Sequence, residues 1–361
     1  MKFTINKSKL LKSLKSASRI TGTRTSLPIL SHVLLKADTD TVTISATNLE
    51  CDMVCEIPAE VETDGSICVP LSALVNAVEP AVEPEISIEL DKTRVNIRGG
   101  KYKIPFMPAA DFVPIKAPKS GGHTIPASVI HAGIKAVAWA QSTDESRYVL
   151  NAVLLTKEDG KLRFVAVDGR CMGLLDTAAE YGGMDGLLPS NFVAILQSAL
   201  PDGKADAAMA MDENRVTFSA QDDDTSIVLG CKLVEGNYVA YKQVISSTPP
   251  KQVVPFSPEV LIEKIRAVSR FTDDKDCRVK LMIEKNLATL SAKTDVGEAT
   301  EEVDVKCSGY VGFAFDPKYL LPMISAVGEN DSADLWYWDE LTPIQIVSGP
   351  FMGILVPMRL S

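Results

Sequence analysis

The chain has 361 residues, 46% of them hydrophobic and 23% charged, values that fit a folded protein, exclude a disordered one and leave room for two or three domains of roughly 100 to 150 residues. A net charge of −10 argues against a surface coated in nucleic acid, though a local basic face stays open. No stretch approaches the roughly 18 apolar residues of a membrane span, and the start "MKFTINKSKLLKSLK" lacks a signal peptide's apolar core, so the cytosol is the expected compartment.

In chain order the first predicted element is a helix, "KLLKSLKSASRI", with Leu10, Leu11, Leu14 and Ala17 at spacings that favour one face. Lys7, Lys9, Lys12, Lys15 and Arg19 give it cations and no anion, and Lys9, Lys12, Ser16 and Arg19 can share its outer face. A plain solvated lysine-rich face fits the same pattern. Hairpin strands follow in "SHVLLKADTDTVTISA". A second helix opens at "VPLSALVNAV", then come the strand, turn and strand of "EISIELDKTRVNI" and a closing strand "YKIPFM".

The same order then recurs. "SVIHAGIKAVAWA" leads into "YVLNAVLLTKEDGKLRFVAV", "LPSNFVAILQSAL" into "DAAMAMDENRVTF", and "TSIVLGCKLV" closes. A third round runs from "EVLIEKIRAVSRF" through "RVKLMIEKNLATLSA", "FDPKYLLPMISAV" and "ADLWYWDELTPIQI" to "GILVPMRL". Asp91 and Asp212 are 121 positions apart, as are Arg94 and Arg215; Thr47, Val167 and Lys293 follow one strand at steps of 120 and 126. Pro70, Pro189 and Pro317 are expected in the first turns of the second helices, where a missing N–H costs nothing. Linkers rich in proline, glycine and serine, 113–126 and 246–258, separate the rounds. Three domains are therefore expected, at 1–118, 124–247 and 253–361.

Reactive chemistry is missing. There is no GxSxG, P-loop or HExxH motif, "IRGGKY" has no following helix to bind phosphate, and the carboxylates of "DDD" (222–224) and "TDD" (272–274) fall in turns where charge is usually solvated. The seven cysteines form no CxxC pair and read as buried thiols; His32, His123 and His131 lie away from metal-ligand spacing. No catalytic residue, metal or cofactor is expected.

"RTSLPILSHVLL" (24–35), "SRYVLNAVLL" (146–155), "FVAVDGR" (164–170), "LVEGNYVAY" (233–241) and "LVPMRL" (355–360) resemble, in order and across the whole chain, the bacterial replicative sliding clamps, the β subunits of DNA polymerase III. The resemblance implies an α+β fold of three repeated DNA-clamp domains, each with two helices packed on antiparallel sheets, in a head-to-tail homodimeric ring around duplex DNA. It implies a non-catalytic processivity factor that holds the replicative polymerase, clamp loader, repair and translesion proteins by short peptides. Arg24 matches a DNA-contacting position; Lys12 and Arg19 join it by helical face. The peptide groove carries over to Arg147, Leu150, Val167, Gly169, Arg170, Met172, Val239, Tyr241, Val244, Ile344, Ile354, Val356, Pro357, Met358 and Arg359. Tyr102, Ile104 and Phe106 on a closing edge strand, with Phe271, are the expected dimer contacts. Arg170-Cys171-Met172 departs from the family pattern and bears on groove shape and peptide preference; Val239 stands where a proline is common, and Ser361 follows the usual terminal Arg-Leu. A monomeric three-repeat interaction scaffold is the alternative.

Overall fold

The computed structural model describes the whole chain except residues 22–26, 116–121, 202, 204, 274–276, 296, 329–331 and 361. Its elements fall into one order repeated three times. The first round is β1 (Lys2–Asn6), α1 (Lys7–Ile20), β2 (His32–Asp38), β3 (Thr41–Thr47), β4 (Cys51–Thr63), β5 (Gly65–Pro70), α2 (Leu71–Val78), β6 (Glu85–Leu90), β7 (Val95–Ile97) and β8 (Tyr102–Ile104). A two-residue strand β9 (Met107–Pro108) follows it. The second round is β10 (His123–Pro126), α3 (Ala127–Val137), β11 (Ala152–Glu158), β12 (Lys161–Val167), β13 (Cys171–Glu180), β14 (Gly186–Pro189), α4 (Ser190–Ala199), β15 (Asp206–Met211), β16 (Arg215–Asp222) and β17 (Thr225–Lys232). The third is β18 (Gln252–Phe256), α5 (Pro258–Ser269), β19 (Val279–Glu284), β20 (Leu287–Thr294), β21 (Gly297–Asp304), β22 (Val311–Phe315), α6 (Pro317–Ser325), β23 (Ala333–Tyr337), β24 (Ile344–Ser348) and β25 (Phe351–Leu355).

Local chemistry explains the helices. Asn6 caps α1 by accepting from the backbone N–H groups of Ser8 and Lys9, and the stripe Leu10, Leu14, Ala17 and Ile20 is buried at helical spacing. Ser16 lies on the buried side with Ser13, so it does not share the outer face with Lys12 and Arg19 as its spacing suggested. Its hydroxyl bonds back to the Lys12 carbonyl, which satisfies it without solvent. The proline expectation holds only for α6, which has Pro317 inside its first turn. Pro70 and Pro189 instead end the strands before α2 and α4. Each round also begins with a short strand, β1, β10 or β18, that the sequence reading left out.

The chain divides into two compact units, one of Met1–His131 with Asn191–Leu233 and one of Ala132–Ser190 with Val234–Ser361. In the first, the strands run β10-β15-β16-β17-β4-β1-β6-β7-β8, with β3 beside β4, β2 beyond β3, β5 beyond β2 and β9 beyond β5. β4 is 13 residues long, enough to pair with β17 and β3 through its first half and with β1 through its second. In the second unit one sheet runs β14-β11-β12-β13-β25-β24-β23-β18 and another β21-β20-β19-β22. The pairing is antiparallel throughout these sheets, so opposed residues share a face.

Candidate functional site

The second unit carries an apolar face across β14, β11, β12, β13 and β25. Register places Leu187, Leu154, Val165, Leu174 and Met352 in one cross-strand row, and Val167, Met172, Ile354 and Gln345 in the next. Leu154, Val165, Val167, Met172, Leu174, Leu187, Ile354 and Tyr241 form one packed cluster, with Leu150, Val149, Tyr238 and Ile245 against it. Burial pushes the Tyr238 phenol pKa up.

One end of this face is held by a polar turn. Asp168 Oδ1 accepts from the N–H groups of Arg170 (2.7 Å) and Cys171 (2.9 Å), closing a loop in which Gly169 adopts φ of +92°. A Cβ at Gly169 would stand 3.1 Å from Arg147 Nη1, and left-handed backbone is costly for other residues. Arg147 donates from Nη1 to the Asp168 carbonyl (2.7 Å) and from Nε to Asp144 (3.1 Å), so its guanidinium is fixed over the turn. Hydrogen bonds from Ser146, then Arg147, hold the Asp144 carboxyl below the usual carboxylate range. The Arg170 carbonyl accepts from Val356 N–H (2.9 Å), which ties the turn to the segment after β25. Cys171 is buried, and burial followed by the Asp168 carboxylate raises its thiol pKa, so it is a poor nucleophile.

Of the expected groove residues, Leu150, Val167, Met172, Tyr241 and Ile354 pack together, and Arg147, Arg170 and Val356 are tied by the bonds just described to the turn that holds Gly169. Val239, Val244 and Val356 are exposed at 42%, 45% and 48%, as rim residues would be. Ile344 is a correction: it pairs with Leu355, one residue out of step with Ile354, so it lies on the opposite face and is fully buried. Gln345 takes its place beside Ile354. The expectation that Met358 lies free past the last strand is also corrected, because it exchanges backbone hydrogen bonds with Ala314 of β22 at 2.7 and 3.4 Å. Pro357 is half-buried and Arg359 exposed on either side of that bridge. Leu154, Val165, Leu174, Leu187, Tyr238 and Gln345 were missed; alternation in their strands signals burial but not which residues share a face.

In the first unit, α1 presents its cations with partners attached. Lys9 pairs with Asp224, Lys12 with Asp222 at 3.2 Å and Lys15 with Glu79 at 2.8 Å, while Lys7 donates to the Ala81 carbonyl. Asp222 and Asp224 thus face the basic helix and are not merely solvated turn charges. Arg19 is exposed and has no acidic partner among the described residues. Arg24 lies outside the described residues, as does Asp274. At the sheet edge, Tyr102 is half-buried under Arg98, whose guanidinium is 5.6 Å from the ring centre. Ile104 is 5% exposed, so it belongs to the core of its own sheet and is not a bare surface contact. Phe106 follows β8 and is half-buried; Phe271 is 37% exposed and packs 3.3 Å from where a Cβ on Gly297 would stand.

No group of three metal-binding side chains occurs among the described residues, and none of their helices is long and apolar enough to cross a membrane. The repeated α+β rounds and the apolar groove face define a repeat-built binding protein. Family models for the DNA polymerase III beta subunit match residues 1–116, as its N-terminal domain, and residues 124–239, as its central domain. The beta sliding clamp of Caulobacter vibrioides is 26% identical over 99% of this chain and 100% of its own length, and that of Escherichia coli 25% identical over 100% of both. The crystal structure of a sliding clamp (DNA polymerase III subunit beta) from Bartonella birtlesii bound to griselimycin is 26% identical, covers 100% of both chains and superposes with a TM-score of 0.90. A DNA polymerase III beta subunit from Thermotoga maritima gives 25% and 0.89 at the same coverage. The chain belongs to the DNA polymerase III beta subunit family, the beta sliding clamps, and is a non-catalytic processivity factor.

Proposed function

We propose that two copies of this chain close head to tail around duplex DNA, act in the cytoplasm, and tether polymerases, clamp loader and repair proteins by peptides seated on the apolar face of β12, β13 and β25. We also assign three domains to the rounds, at 1–118, 124–247 and 253–361. The observation that carries the ring is a pair of open sheet edges. The third strand after the first helix of a round is capped by a closing strand twice: β4 by β17 and β13 by β25. The remaining equivalents, β21 and β8, each pair on one side only among the described residues. An unpaired edge is a template for another strand, and two different edges on one chain, each filled by the other edge of a second copy, make a head-to-tail contact.

The two existing seams also supply a register. Thr47 faces Asp52, Val167 faces Met172 and Lys293 faces Glu298, so Glu298 stands where Asp52 does. Arg215 precedes Val216, which faces Cys231; Arg94 precedes Val95, which faces Ile104. Gly230 faces Asp52 across the β17–β4 seam, and Lys103 occupies the Gly230 position in β8. Lys103 therefore meets Glu298 of the second copy, with Arg94 placed as Arg215 is in its ion pair with Asp52. Buried Ile104 is then natural, since its equivalents Cys231 and Leu355 are also buried. Six α-helices among the described residues of each chain give twelve in a ring; at about 10 Å per helix the axes lie on a circle about 38 Å across, wide enough for a duplex and its water.

Half-buried Met352 offers adaptable apolar anchoring at the edge of the cluster, over the closed floor of Met172, and the Bartonella clamp's complex with griselimycin supports a ligand-accepting surface in this family. A charge swap tests the ring. Lys103→Glu should shift the native mass from two chains to one, and adding Glu298→Lys should restore the dimer. A Lys103→Glu protein that remains dimeric, or a double variant that stays monomeric while folded, removes this edge pairing.

A further inference from the structure

We propose that Cys51 and Cys231 are a reversible disulfide site that staples β17 of the second round to β4 of the first. The two residues are directly opposed across the antiparallel seam, and their Sγ atoms are 3.1 Å apart. Cys51 gives its backbone N–H to Asn48 Oδ1 and its carbonyl accepts from Asn48 N–H, while Lys232 N–H bonds to the Glu50 carbonyl. Neither Cys51 backbone group is therefore spent on Cys231. The two form a non-hydrogen-bonded pair, the class in which Cα atoms lie about 4.5 Å apart and side chains approach closely. That spacing falls within the roughly 4.4 to 6.8 Å that a disulfide spans.

This seam is alone in carrying two thiols. The corresponding pair at the β13–β25 seam is Cys171 and Leu355, and the register derived above makes it Gly297 and Ile104 between copies. Both seam thiols are buried, and the neighbouring Cys51 thiol, followed by burial, holds the Cys231 pKa well above its ordinary range. Cys231 is therefore a poor thiolate source in the native seam, and the buried pair reacts when the seam opens or during folding. The chemistry needs a disulfide of low molecular weight as oxidant. A thiolate of one cysteine breaks the S–S bond of glutathione disulfide, releasing one glutathione; the second cysteine attacks the mixed disulfide, forming Sγ–Sγ and releasing another. Two protein thiols are oxidised and one glutathione disulfide is reduced to two thiols.

The full-length chain, unfolded in urea with reductant and refolded in mixtures of glutathione and glutathione disulfide, gives a direct test because burial cannot then block the exchange. After alkylation, two of its seven cysteines should be protected, a peptide map should link Cys51 to Cys231, and the urea midpoint should rise and return on reduction. Seven alkylated thiols, separate glutathione adducts on the two cysteines, or a linked form that unfolds at lower urea would overturn the proposal. Cys51→Ala should lose the linked species; should it not fold, the wild-type map still decides.

Discussion

Gln345 is 1% exposed, and neither its amide nitrogen nor its carbonyl oxygen has a partner among the described residues. Leaving such an amide unpaired costs about 1 to 3 kcal/mol relative to a satisfied group. Gln345→Met keeps the volume and removes both, so urea unfolding should show a gain of about 1 to 3 kcal/mol; a loss would mean that the amide is satisfied in solution. One position away, Ile344 shows why a strand cannot be assigned to a face from its sequence alone: "PIQI" alternates equally well in either phase, and only the pairing with Leu355 decides it. The opposite case is Asp168-Gly169-Arg170, where glycine at positive φ and an Asp accepting two N–H groups are legible as a turn before any fold is known. Asp144 extends that turn's support to pH. Its folded pKa is depressed, so its contribution is present above the ordinary carboxylate range and lost as pH falls through the folded value. Affinity for a groove peptide should stay level from about pH 8 to about pH 5; a fall centred near neutrality would place control on another group.

Among the elements, the tail after β25 and helix α1 carry the most consequence. Met358 adds a bridge to β22, so deleting residues 357–361, of which Ser361 lies outside the described residues, should cost about 1 to 3 kcal/mol for two backbone hydrogen bonds. It should also weaken a fluorescent polymerase-tail peptide roughly tenfold to a hundredfold, since an apolar anchor is worth about 1.5 to 3 kcal/mol. Unchanged affinity in a dimer of normal mass would move the groove elsewhere. On α1, Asp222 and Asp224 occupy Lys12 and Lys9. These exposed pairs are individually weak, and phosphates compete for the same ammonium groups. Asp222→Asn with Asp224→Asn should therefore steepen the salt dependence of DNA binding by up to about two in the log–log slope; an unchanged slope would take both lysines off the DNA path. The helices are legible because their apolar period runs for eight residues or more, whereas β1, β10 and β18, at four or five residues, are too short for alternation to stand out.

For the whole molecule, three rounds of one element order leave β21 and β8 each paired on one side only among the described residues, with charges of opposite sign at Lys103 and Glu298. The repeat itself is legible in the spacing of Asp91 from Asp212 and Arg94 from Arg215. The ion pair between Asp52 and Arg215 is not, because it joins two rounds through a seam that no local pattern announces. A ring binds DNA by enclosing it, so its hold should depend on the topology of the DNA more than on salt. The decisive measurement is retention in high salt of protein loaded at a nick on circular DNA, before and after the circle is cut. The protein should remain on the closed circle and leave the linear product. Equal retention on both, or equal release by salt, would show ordinary phosphate affinity and contradict enclosure.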